Sequence, residues 1–480
     1  MKQFPLLIIS LFIATIVLTQ NISKPFIGHH GWNGVQYSNI ARNYLRYGLI
    51  TTKLGQVENA GIVLPENFAF NTHYLPTFPL LLSLSFKLFG IYEWSARLVA
   101  IIFSLLTVIL AFILSEKLIG KNTGFIASIF LISTPMFRYF GKMPVHEPII
   151  TALALFVIYF YLDWKKTGKN WRRFFLSSIA LQLIGWSGFF LIPLLFIYDW
   201  IVSKKVNLKP FLPLFLSSVL IFFLHLLHVY LLTGNPLGGG IVDVLKFRLN
   251  FLSSDQQQIY GFTPLGFIKQ EFQWSLAYFT RIQVALTAIF LFYFAKTSNK
   301  VKSGIVILLL IYGISYAAIF RNAAFIHEYL IFYLAPGIAI ASTSVIYLLK
   351  QYLHKSKKIF LSNLIIAIVL ILTFTERLEF LKALEATKMH LIGNLVGQEL
   401  KEQTQITDKI IGHSLVYSMH FSKFTAFYAD RNISYLNFDQ TKSLPKADYQ
   451  FIIKEYIPEK FNKNNYQELG SIYLQSINHE

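Results

Sequence analysis

Four short stretches hold the residue types that could do chemistry. GHHGWNGVQYSNIARNYLRYG, starting at Gly28, carries His29, His30 and Tyr37, and FNTHYLP, starting at Phe70, carries His73 and Tyr74. FRYFGKMPVHEP places Arg138, Lys142, His146 and Glu147 within ten residues, and FRNAAFIHEYLIFYLAP contributes Arg321, His327 and Glu328. A carboxylate or an imidazole can take a proton from a hydroxyl. Arginine offers a planar donor fork that suits phosphate oxygens. Each residue also has a structural role open to it. His29 and His30 could be interfacial hydrogen bonders, Arg138 a snorkelling cation, and Arg321 with Glu328 a surface ion pair of little worth. His225 and His228, a helical turn apart in an apolar run, read as hydrogen bonders within a bundle. With no cysteine, thiolate nucleophiles, disulfides and Cys-based zinc sites are excluded. The Gly-rich Leu237–Gly240 lacks the Lys and Ser/Thr of a phosphate loop, and no serine or lysine triad is signalled.

The elements that must carry these residues follow from composition. Of 480 residues, 54% are hydrophobic and 16% aromatic, with mean hydropathy +0.51, far too apolar for a water-soluble globule. The apolar residues come in blocks of about twenty, the length a bilayer core of about 30 Å requires. The chain is therefore a polytopic α-helical membrane protein of about eleven spans, near 4–20, 94–115, 124–137, 148–163, 174–186, 189–203, 211–233, 282–296, 304–320, 329–349 and 359–375. The first block lacks a small-residue cleavage site and reads as an uncleaved span. The run 174–201 is broken by Gly185-Trp186-Ser187-Gly188 and reads as a helical hairpin.

The net charge of +19 belongs to topology, not to nucleic acid. Lys117 with Lys121, Lys165 to Arg173, Lys204 to Lys209, Lys296 to Lys302 and Lys350 to Lys358 fall on one side, which marks it as cytoplasmic. The loops 21–93, 138–147, 234–281 and 321–328, and the tail from 376, then face outward. Residues 1–375 are expected to form the membrane domain, and 376–480 a small extracytoplasmic α/β domain. Its helix is expected from about Leu378 to Glu402, with strands at Lys409–Ile411, Ile433–Phe438 and Gln450–Ile453. The segment Ser38 to Tyr47 reads as an amphipathic helix on the bilayer surface.

Tyr37-Ser-Asn-Ile-Ala-Arg42, His73-Tyr-Leu-Pro76 and Leu88-Phe-Gly-Ile-Tyr-Glu-Trp-Ser-Ala-Arg97-Leu occur in that order and spacing. This layout resembles the GT-C superfamily of membrane glycosyltransferases, in the branch of protein O-mannosyltransferases and lipid A aminoarabinose transferases. The resemblance departs where the branch carries an acidic pair before the tyrosine: this chain reads Asn33-Gly34. Glu58, Glu66 and Glu93 are the only carboxylates left in that loop.

The resemblance implies transfer of a sugar from a polyprenyl-phosphate carrier to a protein, lipid or glycan acceptor at the outer face of a cell membrane. It gives Glu147, with His29 or His30, the role of base or its support, and Arg321 and Lys142 the departing phosphate. Tyr37, His73, Tyr74, Arg138, His146, His327 and Glu328 would line the substrate site. No nucleotide and no cofactor is required, although the His-rich first loop could hold a divalent metal. The alternative is a lipid-linked-sugar transporter or scaffold that shares the topology and needs no base. The tail would cover the site or select the acceptor.

Overall fold

The computed structural model describes residues 4–235, 241–249, 262–294, 300–413, 419–436, 447–454 and 464–477. Leu237–Gly240, residues 296–299 of one basic loop and residues 437–438 of an expected strand lie outside them. The chain forms two compact units: Met1–Ile22, Thr72–Phe78 and Arg97–Ala383 make the first, and Ser23–Asn71, Pro79–Ala96 and Leu384–Glu480 the second.

Each of the eleven apolar runs contains a helix among its described residues. Among the described residues six helices are long and apolar enough to cross a membrane, or seven if Pro264–Tyr278 and Arg281–Tyr293, bent by 115°, act as one. Phe4–Thr19, Gly124–Ser133 and Gly188–Ser203 are apolar but shorter, so length alone does not deliver eleven full spans. The run expected over 124–137 stops at Ser133 because Pro135 cannot continue it, and a π-helical turn, Met136–Phe140, follows.

In the first unit the helix Ala335–Lys355 is the pillar, packed against Gly124–Ser133, Arg281–Phe294, Lys300–Ile319 and Ile359–Thr375. Small residues permit this closeness: a Cβ on Gly313 would stand 2.8 Å from the backbone of Leu334. The expected hairpin is present as Trp171–Ile184 and Gly188–Ser203. Its second arm is tied to the helix Glu147–Thr167 by buried Asp199, which accepts from Tyr161 Oη at 2.7 Å and pairs with Lys165 at 2.6 Å.

The second unit is α/β. Two residues each of β1 (Gln56–Val57) and β2 (Phe70–Asn71) pair antiparallel. A five-stranded sheet has the order β4-β3-β5-β7-β6, from β3 (Lys409–His413), β4 (Asn432–Leu436), β5 (Tyr449–Ile453), β6 (Gln467–Glu468) and β7 (Ile472–Ser476). β3 runs parallel to β4 and β5, while β7 is antiparallel to β5 and β6. The three expected strands are β3, β4 and β5. The sheet's core is Val396, Leu400, Ile410, Phe451, Ile472 and their neighbours.

Two local expectations change. The tail helix is two helices, Leu378–Ala386 and Leu391–Gln403, because the His390 amide bonds Ile27 O at 3.0 Å instead of an intrahelical carbonyl. The segment 38–47 belongs to a helix, Gly31–Thr51, whose residues 33–44 are all buried, so it is no amphipathic surface helix. It packs on the helix Met419–Ala429.

Candidate active site

In the first unit the chain brings an acid, a histidine, three tyrosines and an arginine into one largely buried group. Glu147 opens the helix Glu147–Thr167, followed by Pro148. Proline suits a first helical turn, and the positive end of the helix dipole favours a carboxylate there. Glu147 is 5% exposed, and its Oε1 accepts from Tyr333 Oη at 3.4 Å. Ser187 Oγ donates to that Tyr333 oxygen at 3.0 Å. The GWSG break in the hairpin thus delivers Ser187 to the acid's partner.

The neighbouring Trp186 also positions. Its Nε1 donates to His73 O at 2.7 Å, and His225 Nε2 meets Thr72 O at 3.1 Å. These two bonds hold the stretch 72–78 so that the Tyr74 ring stacks on the buried His146 ring, centroids 4.4 Å apart. Phe78 closes on the same imidazole at 4.7 Å. Arg248 lies over the other partner of this stack, its guanidinium carbon 5.2 Å from the Tyr74 centroid, and Nη1 donates to Tyr316 Oη at 3.4 Å. Among the described residues no cation is within ion-pair distance of Glu147. Arg248 is the positive charge that acts on both Glu147 and His146.

The other residues singled out in the sequence are placed as follows. Arg138 is buried, donates from Nε to Ile132 O at 3.0 Å and stacks 3.7 Å over Phe374. Its Nη2 is buried with no hydrogen-bond partner among the described residues. Burial holds the guanidinium down at about 10. Lys142 Nζ donates to Gln20 O at 2.7 Å. Arg321 is exposed at the start of the short helix Arg321–Ile326 and forms no ion pair with Glu328. Glu328 instead accepts from Tyr278 Oη at 2.9 Å, and Glu271, with both carboxylate oxygens buried, is the like charge beside it. His327 packs on Tyr329, ring centroids 5.2 Å apart.

The remaining three belong to the second unit. His29 and His30 have ring centroids 4.1 Å apart, and the His29 amide donates to Thr387 Oγ1 at 2.9 Å. His30 caps the helix Gly31–Thr51 in the left-handed conformation, φ 54°. Tyr37 is buried on that helix. Within the Asn33-Gly34 departure, a Cβ on Gly34 would meet the Phe26 ring at 2.5 Å, so a larger residue there requires that ring to shift. The Ile40-Ala41-Arg42 motif is structural: Arg42 bonds Asn39 Oδ1 at 2.7 Å and Phe427 O at 3.1 Å, and shares Asp430 with Arg46 at 3.0 and 2.6 Å. Of the loop's carboxylates, Glu58 accepts from Gln36 Nε2 at 2.8 Å and Glu93 from Tyr428 Oη at 3.3 Å, while Glu66 sits in an exposed turn.

Known proteins place this architecture. Over 93% of both chains it superposes on ArnT from Cupriavidus metallidurans bound to undecaprenyl phosphate, with TM-score 0.62 and 12% identity. The chain has the GT-C fold. The same enzyme in its apo state gives a TM-score of 0.60 at 12% identity, over 95% of this chain and 94% of that one. The apo oligosaccharyltransferase of Archaeoglobus fulgidus gives 0.57 at 12% identity, over 91% of this GT-C chain and 65% of the larger enzyme. Residues 73–230 match the dolichyl-phosphate-mannose-protein mannosyltransferase family. No curated protein sequence matches significantly. The matched segment spans Tyr74, His146, Glu147 and Ser187 of this buried group. Arg248, Tyr316 and Tyr333 lie beyond it and were not singled out in the sequence. For Arg248 the available signal was a lone arginine in an outward loop; for Tyr333, its position near the start of a buried span.

Proposed function

We propose that this GT-C chain is a glycosyltransferase that moves one sugar from a polyprenyl-phosphate carrier to an acceptor hydroxyl or amide at the extracytoplasmic face of a cell membrane. The observation that carries the reading is Glu147: an acid kept buried at a span end, bonded by the Tyr333 side chain at 3.4 Å and with no cation at ion-pair distance among the described residues. An intramembrane acid without such a purpose is costly to keep. The basic loops on one side of the sequence support the outward placement of its helix end.

Inverting displacement needs two things. Glu147 takes the proton of the acceptor as its oxygen or nitrogen bonds to the anomeric carbon, while the bond from that carbon to the carrier phosphate breaks and the phosphate leaves with the electron pair. Cations steady the departing phosphate. Arg248 and Arg138 suit that role alongside Lys142 and Arg321, since Arg138 keeps a buried donor with no protein partner. The tail selects the acceptor.

The loss of the acidic pair at Asn33-Gly34, with Gly34 packed against the Phe26 ring, favours one other reading, a lipid-linked-sugar transporter or scaffold that needs no base. Incubation of the purified protein with a panel of polyprenyl-phosphate sugars and acceptors separates the two. A glycosylated product of inverted anomeric configuration is expected. Donor binding without product across the panel decides for the transporter or scaffold.

A further inference from the structure

Two loops at the base of the hairpin Trp171–Ile184 and Gly188–Ser203 carry positive charge that the transfer reading does not use. One holds Lys166, Lys169, Arg172 and Arg173 with the adjoining helix ends, and the other Lys204, Lys205 and Lys209. All seven are exposed, and none forms an ion pair or a side-chain hydrogen bond among the described residues. The acids beside them do not neutralise them. Asp199 is buried and already paired with Lys165 at 2.6 Å. Asp163, which accepts from Asn170 Nδ2 at 2.7 Å, is the one other acid between Tyr161 and Phe211. Seven cations thus face one remaining carboxylate.

Folding joins the two loops into one face. Trp171 Nε1 donates to Pro210 O at 3.2 Å. The rings of Trp164, Phe174 and Phe211 pack with centroids 5.8 to 6.4 Å apart, which gathers the ends of the helices Glu147–Thr167, Trp171–Ile184 and Leu212–Thr233. Beside the cations stand exposed apolar side chains: Trp200 at 50%, Val206 at 64% and Leu208 at 46%. Lysine interleaved with apolar and aromatic side chains at the end of a span suits the level of lipid headgroups. Topology asks only for an excess of Lys and Arg in such loops. It does not require two loops to be tied together with their charge left uncompensated. Like charges gathered on one face repel one another, and a layer of anions removes that repulsion.

We infer that the base of the hairpin is a docking surface for anionic phospholipid headgroups, which it selects over zwitterionic ones. The arginine forks take phosphodiester oxygens, and the lysines add point charges. A zwitterionic headgroup brings its own ammonium to the same face and gains less. The inference needs no transfer chemistry and stands if the glycosyltransferase reading fails.

The test is photo-crosslinking of the full chain in phosphatidylcholine nanodiscs doped with a headgroup-diazirine phosphatidylglycerol or, in a parallel sample, the matching phosphatidylcholine probe, with adducts mapped by mass spectrometry. Phosphatidylglycerol adducts are expected at residues 165–173 and 203–211, about tenfold or more above the phosphatidylcholine adducts there. They should fall steeply in 1 M salt, where the screening length shrinks to about 3 Å. Combined Lys204→Gln, Lys205→Gln and Lys209→Gln should lower them about tenfold or more. The same charge loss by Lys355→Gln, Lys357→Gln and Lys358→Gln in another basic loop should leave them unchanged. Trp171→Phe, which cuts the bond to Pro210 and keeps every charge, should weaken them several-fold without altering the charge bias of the loops. Equal labelling by the two lipids would overturn the inference. So would phosphatidylglycerol adducts as abundant at residues 355–358 as at the hairpin base, or a preference unchanged in both the triple lysine variant and Trp171→Phe.

Discussion

In the helix Gly31–Thr51, Arg42 and Arg46 converge on one carboxylate, Asp430, at 3.0 and 2.6 Å, and Asn43 Nδ2 is spent on Val57 O and Asn59 O at 2.9 and 2.7 Å. In the first unit, the side chain that bonds the Glu147 carboxylate among the described residues is Tyr333, at 3.4 Å, and Arg248 stacks on a tyrosine. Both regions are buried and polar, but their economy differs. Short, matched pairs hold a backbone in place and leave little capacity for a ligand. A long bond to a neutral phenol leaves a carboxylate ready to take a proton. The difference teaches that the family-like motif Ile40-Ala41-Arg42 marks architecture, and it is the reason that the proposed chemistry is assigned to the less distinctive Glu147.

Substitutions can break this comparison. The largest effect is expected from Glu147→Gln, about 10²–10⁴-fold slower transfer with an unchanged melting temperature, checked by single-turnover kinetics beside a thermal melt. Wild-type kinetics would remove Glu147 from the chemistry. Asp430→Asn should act the other way, lowering stability by about 3 kcal/mol because two buried guanidinium groups lose their counter-charge, as read by denaturant unfolding. Arg248→Ala is expected to reduce transfer by about a hundredfold, more than Arg321→Ala, since Arg321 is exposed and bonds nothing among the described residues; steady-state assays of both variants check the ranking. Tyr333→Phe removes one neutral donor and should cost about 1 kcal/mol in the transfer barrier, several-fold in rate.

The pH response sharpens the same contrast. Burial tends to raise the Asp430 pKa, but Arg42 and Arg46 outweigh it and hold the carboxyl below its ordinary value. Burial likewise draws Arg42 down to about 10, leaving it charged at neutrality. A depressed carboxylate contributes stability that is full above its unfolded pKa of about 4 and is lost as pH falls through the lower folded value. Acid melting of the wild type should show this loss, and Asp430→Asn should flatten it. An unchanged acid profile in that variant would mean that the clamp contributes nothing.

The apolar runs were legible as helices because a bilayer imposes apolarity on each, and Glu147 was singled out because acids at span ends are rare. The break at residues 387–390 was not, since it depends on the His390 amide finding Ile27 O, a partner more than three hundred and sixty residues earlier. The burial of residues 33–44 escaped for a similar reason: polar residues such as Asn39, Arg42 and Asn43 read as solvent-facing until their backbone and Asp430 partners are in place. Arg248 was invisible as a site residue because its stack on Tyr74 joins two segments far apart in sequence.

The account rests on the claim that the Glu147 group does chemistry and the Arg42–Asp430 clamp does not. Single-turnover release of polyprenyl phosphate, measured side by side for Glu147→Gln and Asp430→Asn at a temperature where both are folded, tests it most directly. The account predicts release by Asp430→Asn near the wild-type rate and release from Glu147→Gln slowed about 10²–10⁴-fold, with donor binding retained in both. Equal release by the two variants, or loss confined to Asp430→Asn, would contradict it.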